Sequence, residues 1–160
     1  MKKILMLLIT TFNIFLLTGC GNNDKVINNK FINANVNDNG DIIINSSDTT
    51  SDATYINYVV DDVIIQLIAV RGTDDLVHLA FNTCQSCNPS PNAYFIQEGE
   101  YFICQNCGNR FHINQIGTSI GGCNPSPVEE KNVQEDIIII SNEYVKTYKE
   151  KFRNWQGPTE

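Results

Sequence analysis

Short hydrophobic runs separated by polar turns dominate the chain, and this pattern predicts a domain built mainly from short β-strands. The predicted strands cover residues 41–45, 55–60, 63–70, 76–81 and 136–140. Asp61 and Asp62 separate two of these runs and predict a tight hairpin turn. Asp74 and Asp75 fall in a further turn-prone segment.

The C-terminal part predicts one helix, which makes the expected fold class α+β. Ser141 can cap its first turn, and Glu143 there suits the positive end of the helix dipole. Five hydrophobic residues follow at helical spacing, and we expect them to pack in the core: Tyr144, Val145, Tyr148, Phe152 and Trp155.

The N-terminus predicts an export signal. Lys2 and Lys3 precede a mostly apolar run over residues 4–17, which as a helix covers about 21 Å, short of the ~30 Å hydrocarbon core. A signal-peptide core therefore fits better than a spanning helix. The run ends in Leu17-Thr18-Gly19-Cys20, which resembles a bacterial lipobox. An ordinary secretory signal with a chance cysteine is the alternative.

These features predict three segments. Residues 1–19 form a lipoprotein signal peptide, residues 20–40 carry the lipidated Cys20 and a flexible Asn-rich tether, and residues 41–157 form a cysteine-rich domain. Acyl chains on Cys20 would place the protein on the extracytoplasmic face of the cell membrane, with membrane lipid as a partner. The net charge of −7 argues against a nucleic-acid partner.

Five further cysteines carry the candidate chemistry. Cys84, Cys87, Cys104 and Cys107 follow the spacing C-x2-C-x16-C-x2-C, and Cys123 lies beyond them. Two C-x-x-C turns can each offer two sulfurs to one metal ion, as in zinc-ribbon-like knuckles. Phe102 and Phe111 flank the second turn and can exclude water from it.

The cysteine pattern alone leaves several interpretations open. A structural zinc site, an iron–sulfur cluster, a disulfide framework and thiol–disulfide exchange by one C-x-x-C pair all use such cysteines. No nucleophile–base pair is recognisable, and His78 fits the face of a strand. The sequence therefore offers little support for an enzyme with its own substrate.

Several ordered motifs resemble one known family. They are the segments AFNTCQSC at 80–87, AYF at 93–95, CQNCGNRF at 104–111, INQIG at 113–117 and GGCNP at 121–125. Together they resemble the FtrD-like membrane iron–sulfur family over about residues 41–155. His112 and Asp62 depart from the pattern that we expect for this family.

The resemblance implies a function for the cysteines. The family pattern matches all five cysteines of the domain, which implies that Cys84, Cys87, Cys104, Cys107 and Cys123 bind an iron–sulfur cluster, with zinc as the alternative. The family is associated with bacterial iron transport beside a permease and cupredoxin-like partners. The resemblance therefore implies an accessory protein for electron transfer or metal handling. His112 can either tune this site or face solvent.

Overall fold

The computed structural model describes residues 30–160, in which a five-stranded sheet forms the centre of the fold. In spatial order its strands are β1 (Lys30–Asn33), β3 (Thr54–Val60), β4 (Val63–Arg71), β5 (Val77–Cys84) and β9 (Pro125–Pro127). β1 pairs with β3 in parallel, and the other neighbours are antiparallel. The outer strands therefore come from distant parts of the chain.

The central strands of this sheet are buried on both faces. Residues 65–70 of β4 are all buried, as are residues 78–84 of β5. Successive side chains of a strand point to opposite faces, so Leu67 and Ala69 join one hydrophobic core, whereas Ile68 and Val70 join another. The long apolar run of β4 is thus explained by two covered faces rather than one.

A second sheet and two helices cover one face. This sheet contains β10 (Asn132–Gln134), β11 (Ile137–Ile140) and β2 (Ile42–Asn45). The helices are α1 (Asn142–Lys146) and α2 (Lys149–Phe152). Isoleucines of β2 and β11 pack in the same core as the aromatic side chains of the helices, and Phe81 stacks on Tyr148 with ring centres 3.7 Å apart.

The third sheet covers the opposite face and brings the cysteines with it. Its strands are β6 (Phe95–Glu98), β7 (Tyr101–Cys104) and β8 (Arg110–His112). The core on this side includes Cys84, Cys104, Phe95 and Phe102. The cysteine region is therefore part of a packed core and not an appended loop.

The predicted strands and the hairpin are confirmed. Each predicted run matches a strand to within a few residues, and the chain turns between β3 and β4 at Asp61 and Asp62. Their φ angles are 44° and 65°, which is the left-handed conformation that a two-residue primed turn requires. Asp75 also has a positive φ, of 63°. These aspartates are therefore turn residues, as short polar side chains tolerate this conformation.

The predicted tether is wrong in its C-terminal part. The sequence predicts a flexible tether as far as residue 40, but β1 already begins at Lys30. Phe31 stacks on Tyr55 with ring centres 4.9 Å apart, and Ile32 packs against the core of the helical face. The apolar residues of this segment are separated by asparagines, a pattern that does not predict a strand by itself. Pairing with β3 provides hydrogen-bond partners for the backbone, and Phe31 and Ile32 can then pack against the core.

The predicted membrane attachment falls on residues without a structural description. Cys20, the signal peptide and the first part of the tether lie outside residues 30–160. Over the described part of the chain, no helix combines the length and the apolar character needed to cross a bilayer.

The predicted C-terminal helix is present as two short helices. The Ser141 hydroxyl accepts a hydrogen bond from the Tyr144 N–H at 3.2 Å, as expected for a cap. The first helix ends at Lys146, and the Thr147 hydroxyl bonds the Tyr144 carbonyl. The predicted hydrophobic stripe is buried as far as Phe152, whereas Trp155 lies beyond α2 and is half-buried.

Replacing Phe31 tests whether the fold begins at β1. We expect Phe31→Ala to lower the free energy of unfolding by about 1–2 kcal/mol, less than for a fully buried ring because Phe31 is half-buried. Urea unfolding measures this change, with Asn33→Ala on the same strand as the control, because Asn33 is exposed. Equal stability of the two variants would contradict the role of β1.

Candidate metal centre

Three separate segments bring five cysteines to one place. Cys84 is the last residue of β5 and Cys104 is the last residue of β7. Cys87 and Cys107 lie in the turns that follow these strands. Cys123 comes two residues before β9, which pairs with β5 at Cys84 and Pro125. The strand pairing of the central sheet therefore carries Cys123 to the end of β5.

The two C-x-x-C turns are closed in the same way. The Asn88 N–H bonds the Cys84 carbonyl at 3.0 Å, and the Gly108 N–H bonds the Cys104 carbonyl at 2.8 Å. Backbone N–H groups inside each turn also point at its first sulfur, with Cys87 N lying 3.4 Å from Cys84 Sγ. Such donors stabilise a thiolate, which is the form that binds metal.

The sulfur atoms form two overlapping groups. Cys84, Cys87 and Cys104 make one trio, and Cys87, Cys107 and Cys123 make the other, with all sulfurs of a trio within 4.8 Å of one another. Cys87 Sγ and Cys104 Sγ are 3.8 Å apart. Two thiolates bound to one tetrahedral ion at ~2.3 Å are separated by about 3.8 Å, so the sulfurs fit a shared metal centre.

No disulfide is formed among the cysteines of the described region. All five are free, and the Cys87–Cys104 separation of 3.8 Å is far longer than a bond of ~2.05 Å. The cysteines of this structure therefore do not form the disulfide framework that their number also allows.

A short segment between the turns holds them together. The Cys84 N–H bonds the Ala93 carbonyl, and the Gln105 N–H bonds the Tyr94 carbonyl, both at 2.8 Å. The next residue, Phe95, pairs with Cys104 in the sheet, and its N–H bonds the Asn82 side-chain oxygen at 2.7 Å. Residues 93–95 therefore tie the ends of β5 and β7 to each other.

Gln85 fixes the loop that carries Cys123. Its side-chain nitrogen donates to the carbonyls of Ser119 and Pro125 at 3.0 and 3.1 Å, and its oxygen accepts from the Gly121 N–H at 2.6 Å. The Cys123 carbonyl lies 3.3 Å from Cys84 Sγ. One side chain inside the first C-x-x-C turn thus holds the fifth cysteine against that turn.

Gly117 lets the same loop lie directly on β5. Its φ is +68°, and a Cβ atom at this position would lie 1.9 Å from the Leu79 carbonyl oxygen. Only glycine meets both constraints without moving the backbone. The close approach places the start of the Cys123 loop on the central sheet.

Burial controls the charge of the two innermost thiols. Cys84 and Cys104 are fully buried, and burial raises the pKa of Cys84 far above its ordinary value and that of Cys104 to about 11. Phe102 and Phe111 pack in the same core, as predicted from their positions beside the second turn. Without metal these thiols stay protonated, and a bound cation replaces their protons.

The two histidines lie apart from the sulfurs. The His112 Nδ1 accepts from the Asn114 N–H at 3.3 Å and caps a short 3₁₀ turn, so His112 neither joins the cysteines nor simply faces solvent. His78 lies on β5, as predicted, and its two ring nitrogens contact Asp74 and the Ile116 carbonyl. Both histidines therefore have structural partners.

Sequence reasoning missed the residues that position the centre. They are Asn82, which holds the start of β6, and Gln85, which holds the Cys123 loop. The one signal in the sequence is their position, with Gln85 inside the first C-x-x-C turn and Asn82 two residues before it. The structure brings all five predicted cysteines together, and their role as metal ligands stays a prediction.

The comparisons with known proteins agree with the cysteine pattern. Residues 48–152, about two thirds of the chain, match the family model described as "Membrane iron-sulfur containing protein FtrD-like". No curated protein and no solved structure matches the chain. The matched range includes every cysteine of the centre. The chain therefore belongs to the FtrD-like family of membrane iron–sulfur containing proteins.

Proposed function

We propose that this protein is an extracytoplasmic, lipid-anchored member of the FtrD-like family that binds an iron–sulfur cluster. In this proposal the cluster ligands come from Cys84, Cys87, Cys104, Cys107 and Cys123, and the protein serves electron transfer or metal handling beside an iron-transporting permease. Cys20 carries the lipid. The convergence of five free thiols in a chain of this family is the observation that supports the proposal most.

The chain itself contributes binding, orientation and exclusion of water. The buried ends of β5 and β7 present two sulfurs from a dry core, and the following turns add two more. Backbone N–H groups directed at Cys84 and Cys104 offset part of the negative charge of the bound thiolates. A cluster bound here would supply one-electron chemistry, and the exposed Cys107 and the half-buried Cys123 would lie on the side that a redox partner can approach.

A structural zinc site is the second candidate. The separation of 3.8 Å between Cys87 Sγ and Cys104 Sγ fits two thiolates on one ion, and the two turns are closed alike. In that case the metal would only stabilise the fold, and the protein would serve as a binding or scaffold module. Cys123 would then have no essential role.

Metal and sulfide content distinguish the two candidates. Protein purified without oxygen should be brown and contain about equal amounts of iron and inorganic sulfide, because thiolate-bound iron–sulfur clusters absorb broadly in the visible range. Cys123→Ser should lose iron and sulfide or shift the reduction potential. Elemental analysis and visible spectroscopy measure the first outcome, and potentiometry measures the second.

The control for Cys123→Ser is Ile120→Ser in the same loop. Ile120 is 78% exposed, so its replacement should leave both the cluster and the potential unchanged. Colourless protein with about one zinc ion per chain, and the same metal content in Cys123→Ser, would contradict the redox proposal and support the zinc scaffold.

Lipid labelling tests the proposed membrane attachment. A bacterium that expresses the full chain should incorporate labelled palmitate into it, and Cys20→Ala should abolish the label and release the protein from the membrane fraction. Cys123→Ser is the matched control, since it removes a cysteine outside the lipobox and should keep the label. Persistent label in Cys20→Ala would refute lipidation at this residue.

A further inference from the structure

The five sulfurs are arranged around Cys87. The inner trio consists of Cys84, Cys87 and Cys104, and the outer trio consists of Cys87, Cys107 and Cys123. Cys87 belongs to both trios. The cysteines of the second C-x-x-C turn are divided between them, which is not expected if each turn simply gives two ligands to one ion.

The trios also differ in access to solvent. Cys84 and Cys104 have no exposed surface and lie among aromatic side chains of the core. Cys107 is exposed and Cys123 is half-buried. Cys87, which is half-buried as well, lies at the boundary between the two environments.

We propose that the centre has two metal positions, one in each trio, and that the Cys87 thiolate is a ligand of both. This inference rests on the proposed function, since it requires the cysteines to bind metal. A tetrahedral ion accepts four ligands, so a single ion leaves one of the five cysteines unused. Two ions that share Cys87 use all five and leave each ion one place for sulfide or another external ligand.

The difference in burial gives the two positions different properties. The ligands Cys84 and Cys104 of the inner position are shielded from water, whereas Cys107 and Cys123 of the outer position are accessible. The inner position therefore holds its metal ion tightly, whereas the metal ion or external ligand at the outer position exchanges with solvent.

Cadmium NMR on the membrane-extracted, metal-free chain in detergent tests the shared ligand. Titration with ¹¹³Cd²⁺ should give two resonances in the range of thiolate ligation, split by mutual coupling through Cys87 Sγ. Cys107→Ser and Cys123→Ser should each perturb or remove the outer resonance and leave the inner one. Cys87→Ser should abolish the coupling and weaken both, and Ile120→Ser should change nothing.

The two outer-trio variants keep the test decisive if Cys87→Ser fails to fold, since Cys107 is exposed and Cys123 is half-buried. One Cd²⁺ per chain, or two resonances without coupling, would overturn the shared-ligand proposal. One Cd²⁺ bound by four sulfurs would still agree with a metal centre, whereas a chain that binds no Cd²⁺ and purifies without iron would refute the proposed function as well.

Chelation kinetics test the inner and outer positions independently. Excess EDTA should remove Cd²⁺ in two phases of equal amplitude, with the inner ion released on the order of tenfold more slowly because its ligands are shielded from water. Cys123→Ser should lose the fast phase only. A single phase in the wild-type chain would contradict the difference between the two positions.

Discussion

The buried end of β5 is the constraint on which the candidate centre depends. Cys84 is the last residue of that strand, and its backbone already bonds the segment before β6. The neighbouring Asn82 and Gln85 hold β6 and the Cys123 loop. One strand end therefore aligns the three segments that carry sulfur. The end of β5 is fixed in place because the sheet is covered on both faces, so that β5 packs in both hydrophobic cores of the domain.

A chain of buried amides keeps this strand in register with its neighbours. The Asn82 side-chain nitrogen donates to Gln66 at 2.7 Å, and Gln66 donates in turn to Asn57 at 2.7 Å. Gln66 and Asn57 also bond the carbonyls of Pro158 and Thr159, at 2.8 and 3.0 Å. Buried polar groups are costly when unpaired, so these partners specify one arrangement. The C-terminal residues are thereby joined to the strand that carries Cys84.

The sequence predicted what local pattern controls. Alternating and continuous hydrophobic runs located β3, β4 and β5, Asp61-Asp62 marked the hairpin, and Ser141 marked a helix start. Local pattern could not predict the long-range pairing of strands. Phe31 is partly buried against Tyr55 because β1 pairs in parallel with β3, and nothing in the sequence near Phe31 indicates this pairing. Likewise, the spacing of the cysteines predicted two paired turns, but the sharing of Cys87 between two trios depends on how three distant segments pack.

X-ray absorption at the metal edge of wild-type protein purified without oxygen tests the central claim most directly, namely that the five cysteines converge on one thiolate-bound metal centre. The account predicts a first shell of sulfur alone at about 2.3 Å from the metal. A first shell of nitrogen or oxygen, or protein that carries no metal and has its cysteines joined in disulfides, would contradict it.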